Sequence, residues 1–415
     1  MTQRRRALIV GGGVIGVTSA YYLSERNWDV TLIEKDSIGG GCSHGNCGLI
    51  CPSDVLPLAS PGAIRKTLAA MCRGRSPLYI KPRLTPRLWS WLLKFALRCN
   101  PRDMIRSANG RMALLEPSML MYQQLFDRLE IDCEWQHRGL LYVFQSLKGL
   151  DAYSSTDETL SEEFGLIARR LESQELHSLD PSLKDSVAGA WYYEDDGHLR
   201  PDRLMSEWKR ILTEAGVQIH ENTEMQGLDV RQGTVVSAET SSGDFDADAV
   251  LVATGAVAAQ MKRQIGVRLP IEPGKGYSIT MSRPSICPEI PMLFPEHKIA
   301  VTPMNTGYRL GSTMEFSGFD TRINQKRINL IRKSAEVYMR EPFGDELHEQ
   351  WYGWRPMTYD GLPFIGPVPS MKNLFVAAGH NMLGLSMAPA TGRLVAELMS
   401  DERPFIDPTP YRIGR

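Results

Sequence analysis

Gly11-Gly12-Gly13-Val14-Ile15-Gly16 follows the apolar run that ends at Val10, and a stretch with small and apolar residues on one face follows it to Arg26. In a G-x-G-x-x-G turn placed this way, Gly11 permits the tight turn and Gly13 lets backbone approach a pyrophosphate. Gly16 lets helix and strand pack closely. The start of the helix adds free N–H groups and the positive end of its dipole, both suited to phosphate. Asp29-Val30-Thr31-Leu32-Ile33-Glu34 ends in an acid placed to accept hydrogen bonds from ribose hydroxyls. An acid there disfavours a 2′-phosphate. On these residues alone, FAD and NAD both fit.

The elements that must hold these groups are a strand over 6–10, a helix over 14–26 and a second strand over 29–34, together one βαβ unit. Pro, Gly and Ser over 52–86 suggest a long connection. Amphipathic helices are expected over 84–99, where Trp89, Trp91 and Phe95 stand among basic residues, and over 112–129. Residues 140–144 read as a strand, 157–173 as helix and 189–193 as a strand, followed by a turn at Asp195-Asp196-Gly197-His198. A helix over 201–215 opens on Pro201, as the capping rules favour. Paired strands are expected over 217–236, a buried strand over 248–254, antiparallel strands over 275–313 and a helix over 323–339. The tail is again loop, strand (374–378), glycine turn and helix. The expected fold class is α/β, α+β overall. A Rossmann-like dinucleotide domain (1–85, 194–270, 353–415) is interleaved with a substrate domain (86–193, 271–352) on a mostly antiparallel sheet.

Composition narrows the partners. With 47 basic and 48 acidic residues the net charge of −1 offers no electrostatic footprint for nucleic acid. The apolar run after Arg4-Arg5-Arg6 stops at Gly11, too soon for a signal-peptide core, and no stretch is apolar enough to span a bilayer. A cytoplasmic location is the default expectation, with the Trp-bearing helix over 84–99 able to rest on the surface of the inner membrane. Seven cysteines, an odd number without a CxxC pair, argue against a disulfide framework or a zinc site.

Three further segments decide the cofactor. Gly39-Gly40-Gly41-Cys42-Ser43-His44-Gly45-Asn46-Cys47-Gly48-Leu49 resembles the loop that covers the flavin pyrophosphate in the D-amino acid oxidase and glycine oxidase superfamily. Gly353-Trp354-Arg355-Pro356-Met357-Thr358, continued by Asp360-Gly361-Leu362-Pro363 and Gly366, resembles its G-x-R-P…DG-x-P-x-x-G signature. Gly379-His380-Asn381-Met382-Leu383-Gly384-Leu385 is similar to its G-H-x-x-x-G turn at the flavin ring. The run from Cys47 to Pro52, Leu58-Ala59-Ser60-Pro61-Gly62 and Lys275-Gly276-Tyr277-Ser278 look most like the bacterial D-amino acid dehydrogenases of the small-subunit type, D-hydroxyproline dehydrogenases included.

The resemblance implies FAD. Gly11, Gly13, Val14, Ile15 and Gly16 would hold its pyrophosphate, and Glu34 with Lys35 its adenosine ribose. Cys42 and Ser43 would touch phosphate, Gly48 and Leu49 the isoalloxazine, and Met225 adenine. Thr254, Gly255 and Gly379 would belong to the same site. Met382, Leu383, Gly384 and Leu385 would present N–H groups at a helix start to the flavin N1–C2=O end. The implied reaction is oxidative deamination of D-amino acids, the D-proline or hydroxyproline type included, by hydride transfer from Cα, with electrons passed to a quinone or another acceptor. A glycine- or sarcosine-type oxidase using O2 is the alternative, and an electron-relay subunit carrying FAD a third. Arg355 would bind the substrate carboxylate, as a bidentate guanidinium does best, with Tyr277 and His44 as further contacts.

Departures from the family refine this. Positions that tether flavin covalently in some relatives are Gly353 and Gly45 here, which implies non-covalent FAD. The Lys that helps oxygen react in sarcosine oxidases matches Arg309, which favours a dehydrogenase. Cys42-x4-Cys47 imitates the dithiol of pyridine-nucleotide disulfide reductases, yet no second G-x-G-x-x-G lies in mid-chain. Cys42, Cys47 and Cys51 could also ligate iron, but small residues packed round a nucleotide loop explain the same cysteines and are the preferred reading. No metal is expected.

Overall fold

A computed structural model describes residues 4–65, 78–81 and 85–415; Cys72, and residues 66–77 and 82–84 of the expected connection, lie outside them. Four short apolar strands pair in parallel in the order Leu374–Ala378, Ala249–Val252, Arg6–Val10, Asp29–Ile33. Ile9 stands opposite Leu32 on one side and Leu251 on the other. Gln218–His220 extends this sheet in parallel at one edge and Phe364–Pro367 antiparallel at the other. Strands that are apolar along their whole length need cover on both faces. One face takes the helix Val14–Ser24, buried nearly all round because the helix Ala388–Met399 lies over it; Thr18 Oγ1 donates to Ala388 O at 3.1 Å. The other face takes the antiparallel sheet Met225–Arg231, Thr234–Thr240 and Gly243–Asp246, whose Val235 and Ala238 pack with Leu8 and Val250.

A nine-stranded sheet forms the second layer system. Its order is Leu347–Thr358, Ile271–Met281, Gly307–Phe316, Ile299–Met304, Met292–Phe294, Leu140–Phe144, Gly189–Tyr193, Arg169–Glu172, with Leu78–Ile80 alongside Gly307–Phe316. Pairing is antiparallel except where Met292–Phe294 meets Leu140–Phe144 and where Leu78–Ile80 joins. The helix Gln325–Tyr338 covers it through Ile328, Ile331, Ala335 and Tyr338, which cluster with Ile279, Val301 and Leu310. The expected mixed α/β fold, one parallel sheet and one largely antiparallel sheet, is the observed one.

Some elements differ from their sequence reading. The helix expected over 157–173 is Ser154–Phe164, stopped by Gly165 at φ +66°; the chain then pairs as the edge strand Arg169–Glu172. The helix expected from Met112 begins at Pro101, because Asn100 caps it by accepting from Asp103 N at 3.0 Å, and it carries Pro117 inside. The strand Leu347–Thr358 runs unbroken across the sequence-based boundary at 353. No helix among the described residues is long and apolar enough to cross a membrane.

Candidate active site

The carboxyl ends of the parallel strands deliver the four turns singled out by sequence, at 11–13, 34–36, 253–257 and 379–385, to one side of the six-stranded sheet, where open α/β sheets bind ligands. They open on a continuous cavity of about 1770 Å³. Most small-molecule sites enclose roughly 300–1,000 Å³, so a dinucleotide and a second small molecule fit together.

A chain of hydrogen bonds walks along the wall. Thr223 N donates to Glu34 O at 2.8 Å; Glu34 Oε2 accepts from Gly12 N at 2.7 Å and Oε1 from Asp36 N at 3.0 Å. These bonds fix the carboxylate and leave lone pairs for ribose hydroxyls. Gly11 has φ +114°, and a Cβ there would stand 2.7 Å from Ala253 O. A Cβ on Gly16 would stand 1.9 Å from Gly11 O; Gly16 is therefore the close-packing residue of the turn and does not line the cavity. Gly41 has no atom within 4 Å of where its Cβ would be, so its backbone is bare toward the cavity. Val14 N donates to Ser43 Oγ at 2.9 Å, which ties the second glycine loop to the helix start. Gly11, Gly13, Val14, Ile15, Glu34, Lys35, Cys42, Ser43, Met225, Thr254 and Gly255 all line the space. An acid, the bare backbone of Gly41 and a helix start meet the needs of the ADP half of FAD.

The next stretch of wall is the loop 42–48, pinned from behind by side chains whose bracing role the sequence reading did not foresee. Asn46 Oδ1 accepts from Gly48 N at 2.8 Å, and Asn46 Nδ2 donates to Cys42 O and Ser43 O, each at 3.2 Å. Ser278 Oγ donates to Gly45 O at 2.7 Å and Thr302 Oγ1 to Cys47 O at 2.6 Å. Arg309, fully buried, donates to Asn46 O at 2.8 Å, His44 O at 3.3 Å and Thr280 Oγ1 at 2.9 Å. Arg309 therefore buttresses the loop and is not among the cavity's lining residues. Asn46, in a Gly-Asn turn, was discoverable from sequence; the partners of Arg309 were not.

His44 is a correction. Its ring turns outward to Glu349, with Nε2 to Oε1 at 3.0 Å, and it does not line the cavity. The bond to that carboxylate raises its pKa and lowers that of Glu349. Gly379 is another: at φ +89° it makes the late turn, packed on Thr358 and off the cavity wall. Met382, Leu383, Gly384 and Leu385 do line it, but the helix begins only at Ala388, so they form the turn before a helix and not its first residues. Leu383 N is already donated to His380 O at 3.1 Å. Gly48 and Leu49 line the cavity beside them, with Leu49 O accepting from Ser386 Oγ at 2.9 Å.

Arg355 enters the cavity from the strand Leu347–Thr358, with Nη1 donating to Thr313 O at 2.8 Å. A Cβ on Gly276 would lie 2.0 Å from Arg355 Nη1, so a side chain there would evict the guanidinium. Among the described residues no carboxylate pairs with Arg355; the ionisable groups that act on it are the Cys47 and Cys42 thiols, and burial depresses its pKa. Burial pushes the Cys42 thiol up to about 12 and Cys47 upward also. Cys42 Sγ donates to Trp354 O at 2.7 Å. Protonated, buried thiols are poor nucleophiles, which speaks against a dithiol mechanism. Tyr277 is among the lining residues, but it is 2% exposed and its hydroxyl donates to Glu315 Oε2 at 3.1 Å.

A family model described as DAO, FAD dependent oxidoreductase, matches residues 6–398. The chain belongs to this family. This oxidoreductase is also 32% identical to the D-amino acid dehydrogenase of Granulibacter bethesdensis, with 99% of each chain covered, and 30% identical to that of Vibrio atlanticus, with 95% of each covered. In fold it is similar to the glycine oxidase of Geobacillus kaustophilus, with a TM-score of 0.78 at 24% identity over 99% of each chain. FAD is thus the cofactor of the family to which the cavity belongs.

Proposed function

We propose that this oxidoreductase oxidises a free amino acid of D configuration at Cα, the D-proline or hydroxyproline type included, and passes the electrons to a quinone. The observation that carries this is Arg355: a recessed guanidinium, facing the cavity and lacking a carboxylate partner among the described residues, calls for an anion from outside. The D preference is supported by the names of relatives at 30% identity and above. In this reading residues 1–85, 194–270 and 353–415 serve FAD, and 86–193 with 271–352 serve the substrate. FAD, when bound, supplies the acceptor for the hydride leaving Cα. It is held without a covalent tether, since Gly45 and Gly353 offer no side chain to attach.

Arg355 would clamp the substrate carboxylate, and Tyr277, which also lines the cavity, would help to confine it. The loop 42–48, braced by Arg309, would keep Cα at a fixed distance from the oxidant. Water then hydrolyses the released imine to a 2-oxo acid. The test is an anaerobic mixing screen of the holoenzyme with D- and L-amino acids, N-methylglycines and hydroxyprolines, followed by flavin absorbance. Bleaching by D-amino acids is expected. Bleaching by N-methylglycines alone would make it a secondary-amine oxidase, and bleaching by nothing would leave an electron relay.

A further inference from the structure

Gly307–Phe316 and Ile271–Met281 pair antiparallel, but their register slips once. Tyr277 stands opposite Ser312 and Lys275 opposite Glu315, so Gly276 alone faces both Thr313 and Met314. One extra residue on one strand is a β-bulge, which re-aims backbone and side chain locally. The strain falls on Thr313, whose φ is +70°. Glycine meets such a turn freely, whereas a β-branched residue is crowded there. The same residue carries a second defect. Thr313 is 6% exposed, and its Oγ1, shut off from solvent, has no hydrogen-bond partner among the described residues. A buried hydroxyl left unpaired destabilises the fold.

Both defects lie against Arg355. The bulge turns Thr313 O toward the guanidinium, which donates to it from Nη1 at 2.8 Å. Across the bulge Gly276 has no side chain, and a Cβ there would meet Arg355 Nη1, Cζ and Nη2 at 2.0, 2.4 and 2.5 Å. The guanidinium therefore lies directly over Gly276, with Thr313 at its edge. Its acceptor is a neutral carbonyl, so the positive charge is held in place without being cancelled. One N–H of the fork is spent this way, and the rest of the fork is left for an anion.

We propose that Thr313 is a second substrate-binding residue, whose hydroxyl donates to the carboxylate that Arg355 grips. The proposal rests on the amino acid reading above for the identity of that anion. Thr313, Gly276 and Arg355 all line the cavity. Within one residue the carbonyl oxygen and Oγ1 lie no more than about 5 Å apart. A carboxylate on a guanidinium stands about 2.8 Å from its nitrogens. One step between staggered χ1 positions then carries the hydroxyl from its dry resting place to the anion. A carboxylate keeps lone pairs beyond those that a guanidinium fork occupies, so a third donor is accommodated. Binding thus ends the isolation of Oγ1, and a strained threonine stands where glycine would fold more easily because its hydroxyl serves the ligand.

The experiment titrates the holoenzyme with cyclopentanecarboxylate, which has the size of a cyclic amino acid and no amine to oxidise, and reads the dissociation constant by calorimetry. Thr313→Val keeps the branched shape and removes the hydroxyl. It should weaken binding by roughly ten- to hundredfold, the usual contribution of a hydrogen bond to an ion. Thr313→Ser, which restores the hydroxyl, should recover wild-type binding, and FAD content should be equal in all three. With an amino acid that bleaches the flavin, Thr313→Val should raise the half-saturating concentration by the same factor and change the limiting rate far less. Should the valine variant not fold, Thr313→Gly, which fits φ +70° without strain, carries the same expectation. Binding to Thr313→Val as tight as to wild type, with amino acids still bleaching wild type, overturns the proposal alone. If no amino acid bleaches wild type yet the titration depends on Thr313, the activity reading falls and the carboxylate site stands. Absence of binding to wild type removes the carboxylate from Arg355 and overturns the proposal with it.

Discussion

Arg355 is half-buried and Asp196 fully buried, and opposite physical demands govern these two ionisable groups. Arg355 keeps its charge and, among the described residues, meets no carboxylate, so its replacement by Lys, which cannot grip a carboxylate bidentately, should slow substrate bleaching by orders of magnitude while FAD stays bound. Stopped-flow absorbance decides this, and an unchanged apparent affinity would remove Arg355 from the site. Asp196 is costly to ionise. Its folded-state pKa of about 7 lies above its ordinary 3.8, so the unfolded chain releases the proton first as pH rises. Stability is then lost between about pH 4 and 7, at up to about 1.4 kcal/mol per pH unit. Asp196→Asn should therefore melt above wild type at pH 8 and lose that advantage near pH 4; calorimetry at the two pH values reads it. Arg355 was legible in the sequence because a short motif carries it. Asp196 was not: Asp195-Asp196-Gly197 reads as a solvated turn, and only the distant pairing with Leu49–Ile50 buries it. His44 illustrates the converse, since its neighbour Gly45 lines the cavity while its own ring faces Glu349.

Among the elements, the paired strands Ile271–Met281 and Leu347–Thr358 shape the cavity wall around Arg355. Their register sets Gly276 opposite Gly353 and Gly274 opposite Arg355, which leaves a lane for the guanidinium. Gly276→Ala puts a methyl where Arg355 Nη1 lies, and the flexible end of that side chain would have to yield. The expected result is a raised KM for the amino acid, with FAD content and thermal stability near wild type; an unaltered KM would show that Arg355 has room elsewhere. The βαβ unit was readable because its glycine spacing, helix and acid are local. The edge strand Arg169–Glu172 was hidden because a helix-like polar run precedes it and its partner comes later in the chain. The helix Pro86–Arg98 was recognised as amphipathic, but the exposed face differs from the one its Trp residues suggested. Trp91 is buried and its Nε1 donates to Met357 O at 3.1 Å, whereas Trp89, Leu93 and Leu97 are 58%, 62% and 67% exposed.

At the scale of the molecule, that outward stripe lies on the same helix whose Trp89, Leu92 and Phe95 line the far end of the cavity, together with Leu58 and Ile64. An apolar acceptor such as a quinone could reach the cavity from a lipid surface on which Trp89, Leu93 and Leu97 rest, with Lys94 among them on the helix. Flotation with vesicles containing anionic lipid should carry the holoenzyme upward, and Leu93→Glu should abolish this with flavin content intact; equal flotation of both proteins would exclude the helix as the contact. The cavity is also one uninterrupted chamber from Glu34 to this apolar end. An acceptor that enters there would take turns inside it with the electron donor. Such a chamber would work as a turnstile, in which the departure of the oxidised product, as much as the chemistry at Cα, would set when the next visitor is admitted.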